Sequence, residues 1–193
     1  MTIIDGITII DGTTIIIGVT GWKNSGKTTM VANLVGEFVG RGFRVATIKH
    51  AHHHFDIDHE GTDSWKHREA GAHEVALVSG ERWALMHELD AEAEPSLDSV
   101  IARMSPTDII IIEGYKREPH LKIETRRRET LKDDPLSETD PNIIAIASDY
   151  DIPDSEIPVF SQDMVSDIAD FVLERTKAVA RSGKGAADAA KTA

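Results

Sequence analysis

The chain has 193 residues, 40% of them hydrophobic, which is enough for one well-buried domain. It carries 33 acidic residues against 21 lysines and arginines, and the resulting charge of -12 argues against non-specific nucleic-acid binding, so any phosphate recognition must be local. With no cysteine it has no disulfide, thiolate zinc site or cysteine nucleophile. The start lacks a secretory pattern and no run approaches the roughly 18 apolar residues of a membrane span, so a soluble cytoplasmic protein is expected.

The first segment repeats TIIDG at 2–6 and 8–12, an Ile-rich, Gly-punctuated pattern that predicts a short strand or hairpin. We expect an N-terminal extension over 1–13, a nucleotide-binding domain over 14–180 and a disordered tail over 181–193, low in bulky apolar residues. TIIIGV at 14–19 reads as a strand covered on both faces. It runs directly into GWKNSGKT at 21–28, the pattern GxxxxGK[ST] of a phosphate-binding loop. The spacing has a physical basis. Glycines let successive amides turn toward one phosphate chain, the following helix adds its positive end, the lysine reaches the β- and γ-phosphates, and the hydroxyl binds magnesium. Gly21, Asn24, Ser25, Gly26, Lys27, Thr28 and Thr29 are therefore expected at the nucleotide, with Thr28 on the metal.

Met30, Val31, Leu34, Val35, Phe38 and Val39 recur at helical spacing, which predicts a helix from Lys27 to Arg41 with Gly40 and Gly42 as its stop. FRVATIKH at 43–50 follows as a strand, completing a strand, loop, helix, strand unit of the parallel kind. Beyond it, IKHAHHHFDIDH at 48–59 holds five of the nine histidines and two aspartates. Issuing from a strand end beside the phosphate loop, it is expected to face the nucleotide's phosphates, with His50 and His52 as phosphate or proton partners and Asp56 and Asp58 as metal-side or catalytic groups. A metal site at the His50/His52 pair and a plain solvated loop remain as alternatives.

GTDSWKHREAGA at 61–72 predicts a short helix capped by Thr62 or Asp63, and EVALVSGERWALMHEL at 74–89 a hairpin around SGER. SLDSVIARM at 96–104 predicts a helix capped by Ser96. DIIIIEGYK at 108–116, the most apolar run, predicts a central strand with Glu113 at its C-terminal end, where the second magnesium-side group of a phosphate-loop protein belongs. LKIET suggests a further strand, the segment 126–141 a charged loop, NIIAIASD at 142–149 a late core strand, and 163–180 a closing amphipathic helix. Ser148 and Asp149 are candidate purine readers, with a plain strand-end turn as the alternative. The sum is an α/β fold of phosphate-loop NTPase type: a mainly parallel sheet, helices on both faces and a β-hairpin insertion.

In their order and spacing, GVTGWKNSGKTT, IKHAHHHFDIDHEGTDSWKHREAGA, ERWALM, IIIIEGYK with LKIET, and IIAIASD resemble the MobB family of molybdopterin-guanine dinucleotide biosynthesis adapters, from about Ile15 to Phe171. The resemblance implies a GTP- and magnesium-binding protein with weak GTPase activity that assists the guanylyltransferase attaching GMP to molybdopterin. It further implies a homodimer joined through hairpins, with molybdopterin or its guanine dinucleotide as a further partner; from charge and the lack of a long apolar run, neither nucleic acid nor membrane is expected as a partner. Trp22 and Lys23 depart from the small residues common in the family's loops. Two other readings use the same loop: a nickel-type metal-delivery GTPase, motivated by the histidines, and a small-molecule kinase, for which Arg126–Arg128 is the lid candidate.

Overall fold

The computed structural model describes residues 2–4, 7–9, 14–51 and 57–175. Their packing divides into two units, Met1–His50 with Pro106–Ala193, and Ala51–Ser105.

The larger unit is built on six strands: β3 (Ile15–Thr20), β4 (Val45–Lys49), β7 (Ile109–Glu113), β8 (Lys122–Arg126), β9 (Ile143–Ser148) and β10 (Val159–Ser161). They lie in the order β10-β9-β8-β3-β7-β4, and every neighbouring pair is parallel. This is the α/β architecture the Val- and Ile-rich runs predict, because a parallel strand buried on both faces has no reason to alternate polar and apolar residues. Before it, β1 (Thr2–Ile4) and β2 (Ile7–Ile9) pair antiparallel, as the TIIDG repeat suggests.

Register sets which residues share a face. Ile15, Ile17 and Val19 stand opposite Ile109, Ile111 and Glu113, and Val19 stands opposite Ile123. Helix α1 (Lys27–Gly40) packs Met30, Val31, Leu34 and Phe38 into the cluster formed by Ile17, Val19, Ile109, Ile111 and Ile123. The last helix, α4, described over 165–175, adds Ile168, Ala169 and Val172 to the same cluster. Burial of a large aliphatic side chain contributes about 1.5–3 kcal/mol, so this layer dominates the unit's stability and holds the start of α1 against the end of β3.

The other face is polar over β8. Lys122 and Glu124 are buried there. Lys122 Nζ donates to Glu118 O and, at 2.9 Å, to Asp140 Oδ2. Glu124 accepts from the backbone of Leu136 at 2.9 Å and Ser137 at 3.0 Å, and from Arg126 at 2.9 Å. These bonds fasten the 126–141 stretch, which forms two 3-10 turns, Arg128–Thr130 and Leu136–Glu138, where the charge run suggests only a loop. The short β10 leaves no sequence signal, since three residues after a proline-containing turn carry no periodicity.

The smaller unit is the crossover from β4 to β7. In it α2 (Asp63–Glu69) is capped by Thr62, whose hydroxyl accepts from Trp65 N, and α3 (Leu97–Ala102) by Ser96. Between them β5 (Glu74–Val78) and β6 (Trp83–His87) form the expected antiparallel hairpin. One face of that hairpin buries Val75 and Met86, while the other leaves Val78, Trp83 and Leu85 exposed. The tail from 176 onward, including the expected disordered segment, lies outside the described residues.

Candidate functional site at the C-terminal ends of the strands

All six parallel strands point their C-terminal ends one way, and the loops leaving β3, β4, β7, β8 and β9 carry most of the expected site residues. Ligands of open parallel sheets bind at such an edge.

The phosphate loop has the conformation its glycines allow. Gly21, Asn24 and Gly26 all have positive φ, at 143°, 66° and 96°. A Cβ on Gly21 would stand 2.5 Å from Ser25 Oγ and 2.6 Å from Thr125 O, so side chains there are excluded by space as well as by backbone conformation. Ser25 is fully buried, and its hydroxyl shares a 2.8 Å hydrogen bond with Thr125, which itself donates to Thr20 O. Ser25 therefore braces the loop against β8. Helix α1 starts at Lys27 with no side-chain cap and no acid in its first turn, so its positive end is not offset locally.

Lys27 Nζ donates to Trp22 O at 2.7 Å, which lays the amine across its own loop. Burial lowers its pKa below the ordinary amine value, opposed by Glu113 and reinforced by Lys116 and Lys49. Lys49 and Lys116 thus stand close enough to Lys27 to act on it, a local positive field of the kind phosphate recognition requires in a chain that is strongly negative overall.

Glu113 ends β7, nearly buried. It accepts from Thr28 Oγ1 at 2.9 Å and pairs with Lys49 Nζ at 3.3 Å, both through Oε1. Magnesium takes oxygen ligands at roughly 2.0–2.1 Å in an octahedron, so two adjacent ligands stand about 2.9 Å apart. A hydroxyl and a carboxylate oxygen at the observed spacing fit that edge.

Arg127, read from sequence only as one of three lid or surface arginines, lies on the phosphate loop. A Cβ on Gly26 would stand 2.8 Å from its Nε. Gln162, absent from the sequence-based site, organises this corner: its Nε2 donates to Ser25 O at 3.0 Å and to Arg126 O at 2.9 Å, and its Oε1 accepts from Arg127 Nε at 3.1 Å. The missing side chain at Gly26 makes room for the guanidinium. Asp149, exposed just past β9, accepts from Arg128 N at 2.9 Å, and Ser148 Oγ accepts from Tyr150 N.

The unusual Trp22 is fixed on both sides. Its indole N–H donates to Asp134 O at 2.7 Å, and Lys116 Nζ lies 4.0 Å from the centre of its ring. Burial lowers the Lys116 pKa, against the pull of Asp133 and Glu124. Beside them a cleft of about 370 Å³ is lined by Thr20, Lys116, Arg117, Thr139 and Asp140 among others.

His50 sits at the end of β4, its backbone N–H bonded to Glu113 O at 2.9 Å and its ring 4.5 Å from that of Tyr115. The larger unit thus brings together the phosphate loop, Glu113, His50 and Asp149. His52 and Asp56 lie outside the described residues, as do His53 and His54. Asp58 belongs to the smaller unit, where Arg68 grips both its oxygens, at 2.7 and 3.3 Å. Burial pushes that carboxyl's pKa up, but hydrogen bonds from Arg68 and Ser64 outweigh it and leave the pKa below the ordinary value.

The family model for Molybdopterin guanine dinucleotide synthesis protein B, MobB, matches residues 16–149. The chain belongs to the MobB family. Two molybdopterin-guanine dinucleotide biosynthesis adapter proteins are similar along most of their length. The Haemophilus influenzae protein is 38% identical over 156 residues, covering 80% of this chain and 85% of its own. For the Escherichia coli protein the values are 37% over 155 residues, 79% and 88%. Among solved structures, a MobB homolog from Bacillus stearothermophilus superposes with a TM-score of 0.64 at 26% identity, covering 84% of this chain and 98% of that one. Bacillus subtilis MobB gives 0.65 at 26%, covering 82% and 96%. The MobB structures share the parallel sheet described above, and the family match includes the phosphate loop, Glu113 and Asp149.

Proposed function

We propose that this chain is a GTP-binding adapter of molybdopterin guanine dinucleotide biosynthesis, which assists the guanylyltransferase that joins GMP to molybdopterin. The observation that carries the reading is the phosphate loop with Lys27 laid across it and the Thr28–Glu113 oxygen pair 2.9 Å apart at its edge. In this reading the loop amides and Lys27 hold the β- and γ-phosphates, Thr29 reaches the α-phosphate, and Arg127 adds a second fixed cation beside Gly26. Thr28 and Glu113 hold Mg2+, which when bound neutralises charge on the phosphate oxygens. Asp149 is the carboxylate suited to accept the N1 and N2 protons of guanine. His50, at the end of β4 with its backbone N–H on Glu113 O, lies at the same edge of the sheet.

Glu113 is already engaged by Thr28 and Lys49, a metal-side group more than a free base, which accords with weak hydrolysis. A kinase would require a mobile basic lid, and the arginine run is tied down: Arg126 to Glu124 and Ser137, Arg127 to Gln162. We assign 14–180 as the nucleotide-binding domain, and place the protein in the cytoplasm as a homodimer. Supporting the dimer, the cross-strand pair Val78–Trp83 and the adjacent Leu85 form an exposed apolar hairpin face, with Val78 at 78% and Trp83 at 72% exposure.

The test is capture from native extract by the tagged full chain, with and without GTP. Recovery of a molybdenum-cofactor guanylyltransferase supports the adapter. Failure to recover it under either condition, with phosphate transferred to a small-molecule acceptor instead, overturns the reading in favour of a kinase.

A further inference from the structure

The smaller unit carries a cluster that the nucleotide reading does not use. His73 immediately precedes β5 and His87 ends β6. The ladder brings them together, since Glu74 pairs with His87 and Glu88 N bonds to His73 O at 3.0 Å. The two imidazoles stand 4.4 Å apart, centre to centre, at 73°. The chain then turns back at Asp90, whose φ is 47°, with Glu92 N bonded to Leu89 O. That turn places Glu92 Oε2 3.8 Å from His87 Nε2. One nitrogen from each histidine and one oxygen of Glu92 all lie within 4.8 Å of one another.

Each ring also meets a carboxylate through Nδ1. His87 Nδ1 is 2.9 Å from Glu74 Oε1, and His73 Nδ1 is 3.4 Å from Asp90 Oδ2. A carboxylate that accepts from Nδ1–H fixes the tautomer whose Nε2 carries the lone pair, the arrangement typical of metal-ligating histidines. Two imidazoles side by side amid three carboxylates make a poor pair of ordinary salt bridges, because protonating both rings sets two cations against each other.

We propose that the open end of this hairpin binds one divalent first-row transition ion, Zn2+ in preference to Mg2+, through His73, His87 and Glu92, with Glu74 and Asp90 orienting the imidazoles. Two imidazoles and a carboxylate are a recurrent zinc donor set, with water in the fourth place. Bonds of roughly 2.0–2.1 Å put tetrahedral ligands about 3.3–3.4 Å apart, so the 3.8 Å His87–Glu92 spacing closes with a small rotamer adjustment. The site differs in kind from the hydroxyl and carboxylate pair of Thr28 and Glu113, and it does not depend on the nucleotide reading.

The test uses the full chain with His52, His53 and His54 replaced by Gln, so that the histidine run does not compete for the ion. Co2+ is titrated first, followed through its visible absorption, and Zn2+ then by competition with a chromophoric chelator. The expected result is one equivalent with a tetrahedral Co2+ spectrum, at least a hundredfold weaker in His87→Gln and His73→Gln. Glu74→Gln should weaken it by about tenfold through lost orientation. Circular dichroism checks the fold of each variant, and Glu92→Gln, on the exposed turn, decides if a histidine variant unfolds. No stoichiometric binding in the background chain overturns the proposal, as does an affinity that changes less than threefold in Glu92→Gln and in every folded histidine variant.

Discussion

His120 should make the fold pH-sensitive in a window set by its own burial. Only 2% exposed, it packs against β3, and a Cβ on Gly18 would stand 2.5 Å from its Nε2. Among the described residues neither ring nitrogen has a hydrogen-bond partner. Burial, with Lys122 nearby and only Asp140 in opposition, lowers its pKa from 6.5 to about 4. The unfolded chain therefore binds a proton at this residue between those values while the folded chain does not, so the stability this group contributes is complete above pH 6.5 and is lost as the pH falls toward 4. At about 1.4 kcal/mol per unit, the gap corresponds to about 3.5 kcal/mol. Other carboxylates with lowered pKa values, among them Asp58 and Asp140, lose stability in the same direction, so a paired comparison isolates the histidine. Urea unfolding of the parent and His120→Leu at pH 7.5 and pH 4.5 should show the parent losing about 2–3 kcal/mol more than the variant. Equal losses, or a His120 resonance titrating near the ordinary histidine value, would refute the argument.

Arg127→Ala should weaken GTP binding by about 10- to 100-fold, the equivalent of about 1.5–3 kcal/mol for a hydrogen bond to a charged group, with little change in thermal stability; isothermal titration measures the first and calorimetric unfolding the second. Glu124→Ala removes an acceptor shared by two backbone amides and Arg126. A loss of about 3–5 kcal/mol in urea unfolding is expected, with faster proteolysis within 128–138; unchanged stability would show that those bonds do not persist in solution. For the proposed homodimer, Val78→Glu with Trp83→Glu should give monomer in light scattering where the parent gives dimer, with circular dichroism intact; a parent that is monomeric, or a dimer that survives the substitutions, would remove the hairpin interface.

The parts of the site that were legible in sequence are those whose chemistry imposes spacing. The phosphate loop needs its glycines and its Lys-Thr pair at fixed offsets, and Glu113 could be found because a long apolar run has only one C-terminal end. The caps Thr62 and Ser96 were legible for the same local reason. What escaped is long-range. Gln162 meets Ser25 across 137 positions, and nothing around it in the chain marks it. Arg127 was hidden by its neighbours, since a triple arginine run looks the same whether one guanidinium lies on the phosphate loop or none does. Lys122 and Glu124 made LKIET look like a weak strand, when their charges are buried and satisfied by the segment that follows. Asp58 stands in the sequence beside Asp56, yet its carboxylate is committed to Arg68, a partner ten residues away on a helix.

Equilibrium titration of GTP and of ATP into the parent chain and Lys27→Ala, each with and without magnesium, tests the central claim most directly. The account predicts magnesium-dependent binding that favours GTP over ATP and is lost in Lys27→Ala. Equal affinity for the two nucleotides, together with GTP binding that survives in Lys27→Ala, would contradict it.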